Sequence, residues 1–196
     1  MESILFVDGR NFINKIENVL RENKIKNVDY SLYDFGGLMN KVLAGIKIDR
    51  RLFYFGKLVK HSETLEKSAK LIESQRKLKT SLEKQGFEII IAGRIRGHLE
   101  KCQMGHETLV FKEKGVDVRI AVDMVRFACD DKLKLAIIGS SDSDLQPAVG
   151  ELKNHKVKRI YLGFENMPNK GLTFTTDRTI LIRNLEILEF LPKTLF

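Results

Sequence analysis

The strongest constraint on the fold is a rhythm. Short apolar runs rich in β-branched and aromatic residues alternate with segments whose apolar residues recur at helical spacing. Ser3 to Val7, Arg51 to Phe55, Phe87 to Ala92, Leu135 to Ile138 and Val157 to Leu162 read as strands. Helical spacing follows the first run at Phe12, Ile16, Val19 and Leu20, with Asn11 as the expected N-cap. It returns at Phe35 to Leu43, and again from Ser62 to Gln85, where Leu65, Ala69, Ile72, Leu78 and Leu82 form a stripe and Gly86 suits the C-terminal cap. Val118 to Cys129 returns to helical spacing through Val118, Val122, Val125 and Ala128, and another helix is expected from about Asp144 to Asn154. Gly93 to Gly115 reads as a surface excursion with one short strand at Leu109 to Phe111, and Phe174 to Phe196 as a last helix or strand plus a tail. Such alternation predicts an α/β fold, with a central, mostly parallel sheet of about five strands and helices on both faces. The 196 residues suffice for one well-packed domain, expected to span 1–196.

Aspartates stand where these strands end. Ile4 to Val7 runs into Asp8, Leu135 to Ile138 leads through Ser140 and Ser141 to Asp142 and Asp144, and Gly115-Val116 precedes Asp117. In an open α/β sheet the carboxyl ends of parallel strands converge on one crevice, so acids distant in sequence meet there. Each has a plain structural alternative: Asp8-Gly9 is common turn chemistry, and Asp117, Asp142 and Asp144 all suit helix starts. Asp123 lies six residues beyond Asp117 on a different face of the same helix, which suits a supporting role. Gathered carboxylates repel one another, and a divalent cation relieves them. Oxygen donors without a histidine or thiolate pattern favour Mg²⁺ or Mn²⁺. An ion so placed polarises a phosphate and generates hydroxide, which suits phosphodiester hydrolysis.

Charge narrows the partner. The 34 Lys and Arg outnumber the 26 Asp and Glu, giving a net charge of +8 that favours a polyanion, nucleic acid ahead of membrane. No apolar run reaches the roughly 18 residues of a membrane span. Cys102 and Cys129 form no disulfide framework and no basic-plus-apolar leader precedes Ile4, so a cytoplasmic location is expected.

Three segments together resemble the NYN family of PIN-like nucleases, in particular its bacterial LabA-like branch: FVDGRN at Phe6 to Asn11, KGVDVRIAVDM at Lys114 to Met124, and SSDSDLQPAV at Ser140 to Val149. Individually modest, they are jointly specific because they occur in the family's order and span most of the chain. The resemblance implies a PIN-like domain whose acidic pocket binds Mg²⁺ or Mn²⁺ and cleaves RNA with water as nucleophile. By position it implies Asp8, Asp117 and Asp142 as metal ligands and Asn11 as a companion polar residue. Asp144 and Asp123 match further family acids as ligand, water-holder or structural partner. Ser140 and Ser141 match residues that position a phosphate or a metal-bound water, although Ser141 stands where the LabA-like pattern has glycine.

Cations near the acids are candidate phosphate contacts: Arg10 beside Asp8, Arg94 and Arg96 after the third strand, and Lys112 and Lys114 before Asp117. Lys67, Lys70, Lys77 and Lys84 on the long helix read as solubilising charge, and Tyr54, Phe55 and Phe111 as core rather than base-stacking residues. His98, Cys102 and His106 recur every four residues, but Gly97 and Gly105 oppose a helix there and no fourth ligand follows, so a loop over substrate is preferred to zinc. Against the metal-dependent ribonuclease stand a Toprim-like or phosphatase-like hydrolase and a non-catalytic RNA-binding module. Toprim wants glutamate after the first strand, and a haloacid-dehalogenase phosphatase wants a second aspartate where Arg10 stands. An exposed edge strand or the apolar C-terminal segment would serve a homodimer.

Overall fold

The computed structural model describes residues 1–58, 65–101 and 107–192, and their side chains except at 65–68, 96–101 and 107–112. Seven strands form one sheet in the order β4-β3-β2-β1-β5-β6-β7. They are β1 (Glu2–Asp8), β2 (Arg50–Leu58), β3 (Glu88–Lys101), β4 (Glu107–Lys114), β5 (Leu133–Gly139), β6 (Lys158–Phe164) and β7 (Arg178–Ile182). All neighbours are parallel except β3 and β4. The chain starts at the centre, steps outward through β2 to β4, then returns to β5 on the other flank of β1. Strand order therefore reverses between β1 and β5, where a crevice opens at the strands' carboxyl ends.

Helices cover both faces. Alternation along β1 sends Leu5 and Val7 to a layer with α1 (Gly9–Glu22), α2 (Phe35–Val42), α3 (Leu65–Lys84) and α7 (Asn184–Glu189). Ile4 and Phe6 point the other way, to α4 (Val116–Cys129), α5 (Gln146–Glu151) and α6 (Lys170–Thr175). Gly86 takes the left-handed conformation, φ +83°, just past α3, as its expected capping role requires.

Several expectations need correction. The sheet has seven strands rather than about five, because within the 93–115 excursion the extended β3 and β4 form an antiparallel pair, and the C-terminal region adds β7. The third strand continues past Ala92: beyond a register shift between Phe55 and Lys57 it stays paired with β2 as far as Ile95, while from Arg94 onward its other edge pairs with β4. The expected helix from Asp144 to Asn154 is a 3₁₀ turn, Ser143–Leu145, followed by the short α5. The buried face of α4 is Val116, Ile120, Met124 and Ala128, whereas Val118 and Val122 are 60% and 55% exposed. Two apolar stripes compete on this helix, and the one with the larger side chains, Ile120 and Met124, faces the sheet. Tyr54 and Phe55 are core, as read. The side chains of Arg96, His98, Cys102, His106, Phe111 and Lys112, and of Lys67, lie outside the described residues.

Candidate metal centre

Asp8 ends β1 and caps α1. Its backbone is extended, its Oδ1 accepts the Asn11 N–H at 3.0 Å, and the helix begins at Gly9, so the expected cap at Asn11 is displaced by three residues. The chain can turn this tightly because residue 9 is glycine: a Cβ there would lie 2.6 Å from the Tyr54 carbonyl oxygen. Asp8 is only 6% exposed. Burial pushes its pKa up to about 6; the cap bond opposes this, and the charges of Asp142 and Asp117 add to it.

Asn11, freed from capping, ties two loops together. Its Oδ1 accepts the Ser141 N–H at 2.9 Å, fixing the end of β5 against the start of α1. Within that loop, buried Ser140 accepts the Asp142 N–H on Oγ at 3.1 Å, and its hydroxyl lies 3.5 Å from Asp8 Oδ2. Asp142 caps the 3₁₀ turn by accepting the Asp144 N–H at 3.0 Å. Asn169 and Tyr161 hold the loop's outer side: Asn169 Nδ2 donates to the Ser141 carbonyl at 2.9 Å, and the Ser141 hydroxyl lies 3.4 Å from that of Tyr161. Asn169 and Tyr161 carry no sequence signal for this duty, because their alignment with Ser141 depends on β6 lying beside β5.

Asp117 reaches the crevice from the other side of the sheet order. Gly115, at φ +87°, is the N-cap of α4 and offers no side-chain bond, so Asp117 sits in the first turn without a capping duty. Its approach depends on Gly93, at φ +67°, where a Cβ would lie 2.1 Å from the Lys114 carbonyl oxygen. Asp117, Asp142 and Asp144 thus each bring a carboxylate oxygen within 4.8 Å of the others. Asp8 lies alongside, close enough to feel two of those charges.

Asp123 lies apart from this group. It is 3% exposed beneath α4, where it accepts from the Tyr54 hydroxyl at 3.2 Å and Arg119 Nε at 2.9 Å, with Arg126 Nη2 at 3.3 Å. Its bonds join helix to strand. Glu113, which the sequence reading passed over, turns toward the acids. On β4 it follows Leu109 and Phe111 at period two, so a charged residue occupies the apolar phase of a strand, and that is the signal that could have found it. Its carboxylate accepts the Gly56 N–H, and burial with the charges of Asp8 and Asp117 pushes its pKa up to about 7, against the opposing pull of that bond and of Arg10. Arg10, Arg94 and Lys114 are exposed, and Arg94 pairs with Lys114 across the β3–β4 ladder.

Hard oxygen donors alone make up this cluster, and among the described residues no Lys or Arg forms an ion pair with Asp117, Asp142 or Asp144. Such a donor set fits Mg²⁺ or Mn²⁺. Among solved structures, a protein of unknown function from Vibrio parahaemolyticus superimposes with a TM-score of 0.57 at 19% identity, covering 92% of this chain and 93% of that one. It shares the fold. No curated protein matches the sequence. The family model of the NYN domain matches residues 3–183, which includes every acid described above. The chain belongs to the NYN domain family.

Proposed function

We propose that the protein is a metal-dependent ribonuclease that hydrolyses RNA phosphodiester bonds at the crevice between β1 and β5. The carrying observation is the convergence of Asp117, Asp142 and Asp144 to within 4.8 Å, with buried Asp8 beside them. These four carboxylates would hold Mg²⁺ or Mn²⁺, which supplies a polarised phosphate and an activated water. The chain's own residues do the rest. Capping bonds fix one oxygen each of Asp8 and Asp142 and so orient the other. Asn11 and Ser140 lock the two loops at a fixed separation, the preorganisation a hydrolytic site needs. Arg10, Arg94 and Lys114 line the approach and take the phosphates of the strand, giving salt-dependent affinity. Asp123 supports the site through Tyr54 and α4 without touching the reacting atoms.

The experiment is incubation of labelled single-stranded RNA with purified protein and Mg²⁺ or Mn²⁺, with EDTA and Asp8→Asn as controls. Metal-dependent cleavage lost in both controls is expected. RNA that binds but stays intact with every metal would leave a binding module in place of the enzyme, and hydrolysis of a small phosphomonoester alone would favour a phosphatase.

A further inference from the structure

Glu113 carries an unexplained group. Its Oε2 is buried and has no hydrogen-bond partner among the described residues. A buried unpaired carboxylate oxygen is costly, and native structures retain one where a ligand, ion or water completes it. The surroundings show why the side chain is held there. Ile95 pairs with Glu113 across the β3–β4 ladder, and Gly56 sits at the β2–β3 bulge. A Cβ on Gly56 would lie 2.9 Å from Glu113 Oε2 and 2.7 Å from Ile95 Cγ1, so the missing side chain makes room for the carboxylate. Two residues before Gly56, Tyr54 pairs with Asp8 on β1. The carboxylate of Glu113 therefore reaches from the edge strand to β2, one strand from Asp8, at the carboxyl end of the sheet.

We infer that Glu113 is a further carboxylate of the cation site, its free Oε2 receiving hydrogen bonds from the water shell of a divalent ion held by the neighbouring aspartates. Mg²⁺ and Mn²⁺ sites of few protein ligands retain several waters, and the groups that accept from those waters set affinity and orientation. This rests on the reading of the aspartate cluster as a metal centre. It does not depend on RNA being the substrate.

Glu113→Gln separates this role from a structural one, because the amide keeps the side-chain volume and a carbonyl to accept the Gly56 N–H while removing the charge. Mn²⁺ binding to RNA-free protein, followed by water-proton relaxation, is expected to weaken about tenfold in E113Q. Glu113→Asp, which keeps the charge, is expected to recover part of that loss, and the metal-free melting temperature of E113Q is expected to match or exceed that of the wild type. Unchanged Mn²⁺ affinity in E113Q overturns the inference, as does a lowered melting temperature with affinity intact. If E113Q binds Mn²⁺ normally while the wild type cleaves RNA, only this inference fails. If the wild type binds Mn²⁺ and E113Q weakens it but RNA is never cut, the ribonuclease reading fails and Glu113 stands. Absence of Mn²⁺ binding by the wild type overturns both.

Discussion

Asp8 carries two duties that one substitution can separate. As the cap of α1 it needs an oxygen acceptor, which asparagine also provides; as a buried carboxylate it carries a charge that the metal-free fold bears at a cost. Asp8→Asn is therefore expected to abolish RNA cleavage and yet stabilise the metal-free protein at pH 7.5, by on the order of 2 kcal/mol, measured by urea denaturation in EDTA. Asp123 predicts the opposite pattern. Its removal leaves the buried Tyr54 hydroxyl without its acceptor, while Arg119 and Arg126 remain in contact with water, so Asp123→Ala should cost about 1–3 kcal/mol of stability while Mn²⁺ affinity in the folded protein changes little. Much of this residue scale was legible. Asp8, Asp117, Asp142 and Asp144 stand at strand ends and helix starts in the sequence itself. That Asp123 faces away from Asp117 was legible too, but its partners Tyr54, Arg119 and Arg126 were not, because they depend on which stripe of α4 faces the sheet, and Glu113 was hidden by a glycine-rich segment that obscured its strand.

At the level of elements, β3, β4 and the start of α4 form the least regular yet most consequential part of the fold. The close approach of Gly93 to the Lys114 carbonyl sets where β4 hands over to α4, and so where Asp117 points. Gly93→Ala meets both a 2.1 Å contact and a positive φ, and is expected to destabilise by 3 kcal/mol or so and to weaken Mn²⁺ binding, as thermal melts with and without the ion would show. On α4 itself, Ile120→Ala is expected to cost about 2–5 kcal/mol, whereas Val122→Lys on the exposed stripe should lie within about 0.5 kcal/mol of wild type by the same melts. Periodicity alone located α4 but could not choose between its stripes, since both repeat at helical spacing and only packing against β1, β2 and β5 decides. The core strands β1, β2, β5 and β6 were legible because they are apolar on both faces. The β3–β4 arm alternates polar and apolar residues, which reads equally as a loop with scattered hydrophobics until a partner strand is in place.

For the molecule as a whole, the crevice stores electrostatic strain that should appear in its pH profile. The pKa values of Asp8 and Glu113 are raised in the fold to about 6 and about 7, from ordinary values of 3.8 and 4.5. The folded state thus binds more protons than the unfolded one between pH 4 and pH 7. The stability these groups contribute is full below about pH 4 and lost as pH rises through 6 to 7. In EDTA, the loss attributable to Asp8 across that window should be on the order of 3 kcal/mol, absent in Asp8→Asn. Saturating Mn²⁺ should reverse the trend, because the ion binds the deprotonated carboxylates and its stabilisation grows with pH. The strand reversal between β1 and β5 explains why this charge gathers at one place, and that reversal follows from the order of elements along the chain.

Anomalous scattering from a crystal grown with Mn²⁺ tests the central claim most directly. A single cluster of density among the carboxylates of Asp117, Asp142 and Asp144, with Asp8 in its coordination shell or one water away, is the predicted result. Density elsewhere on the molecule, or none in the crevice at a concentration that supports RNA cleavage, would contradict it.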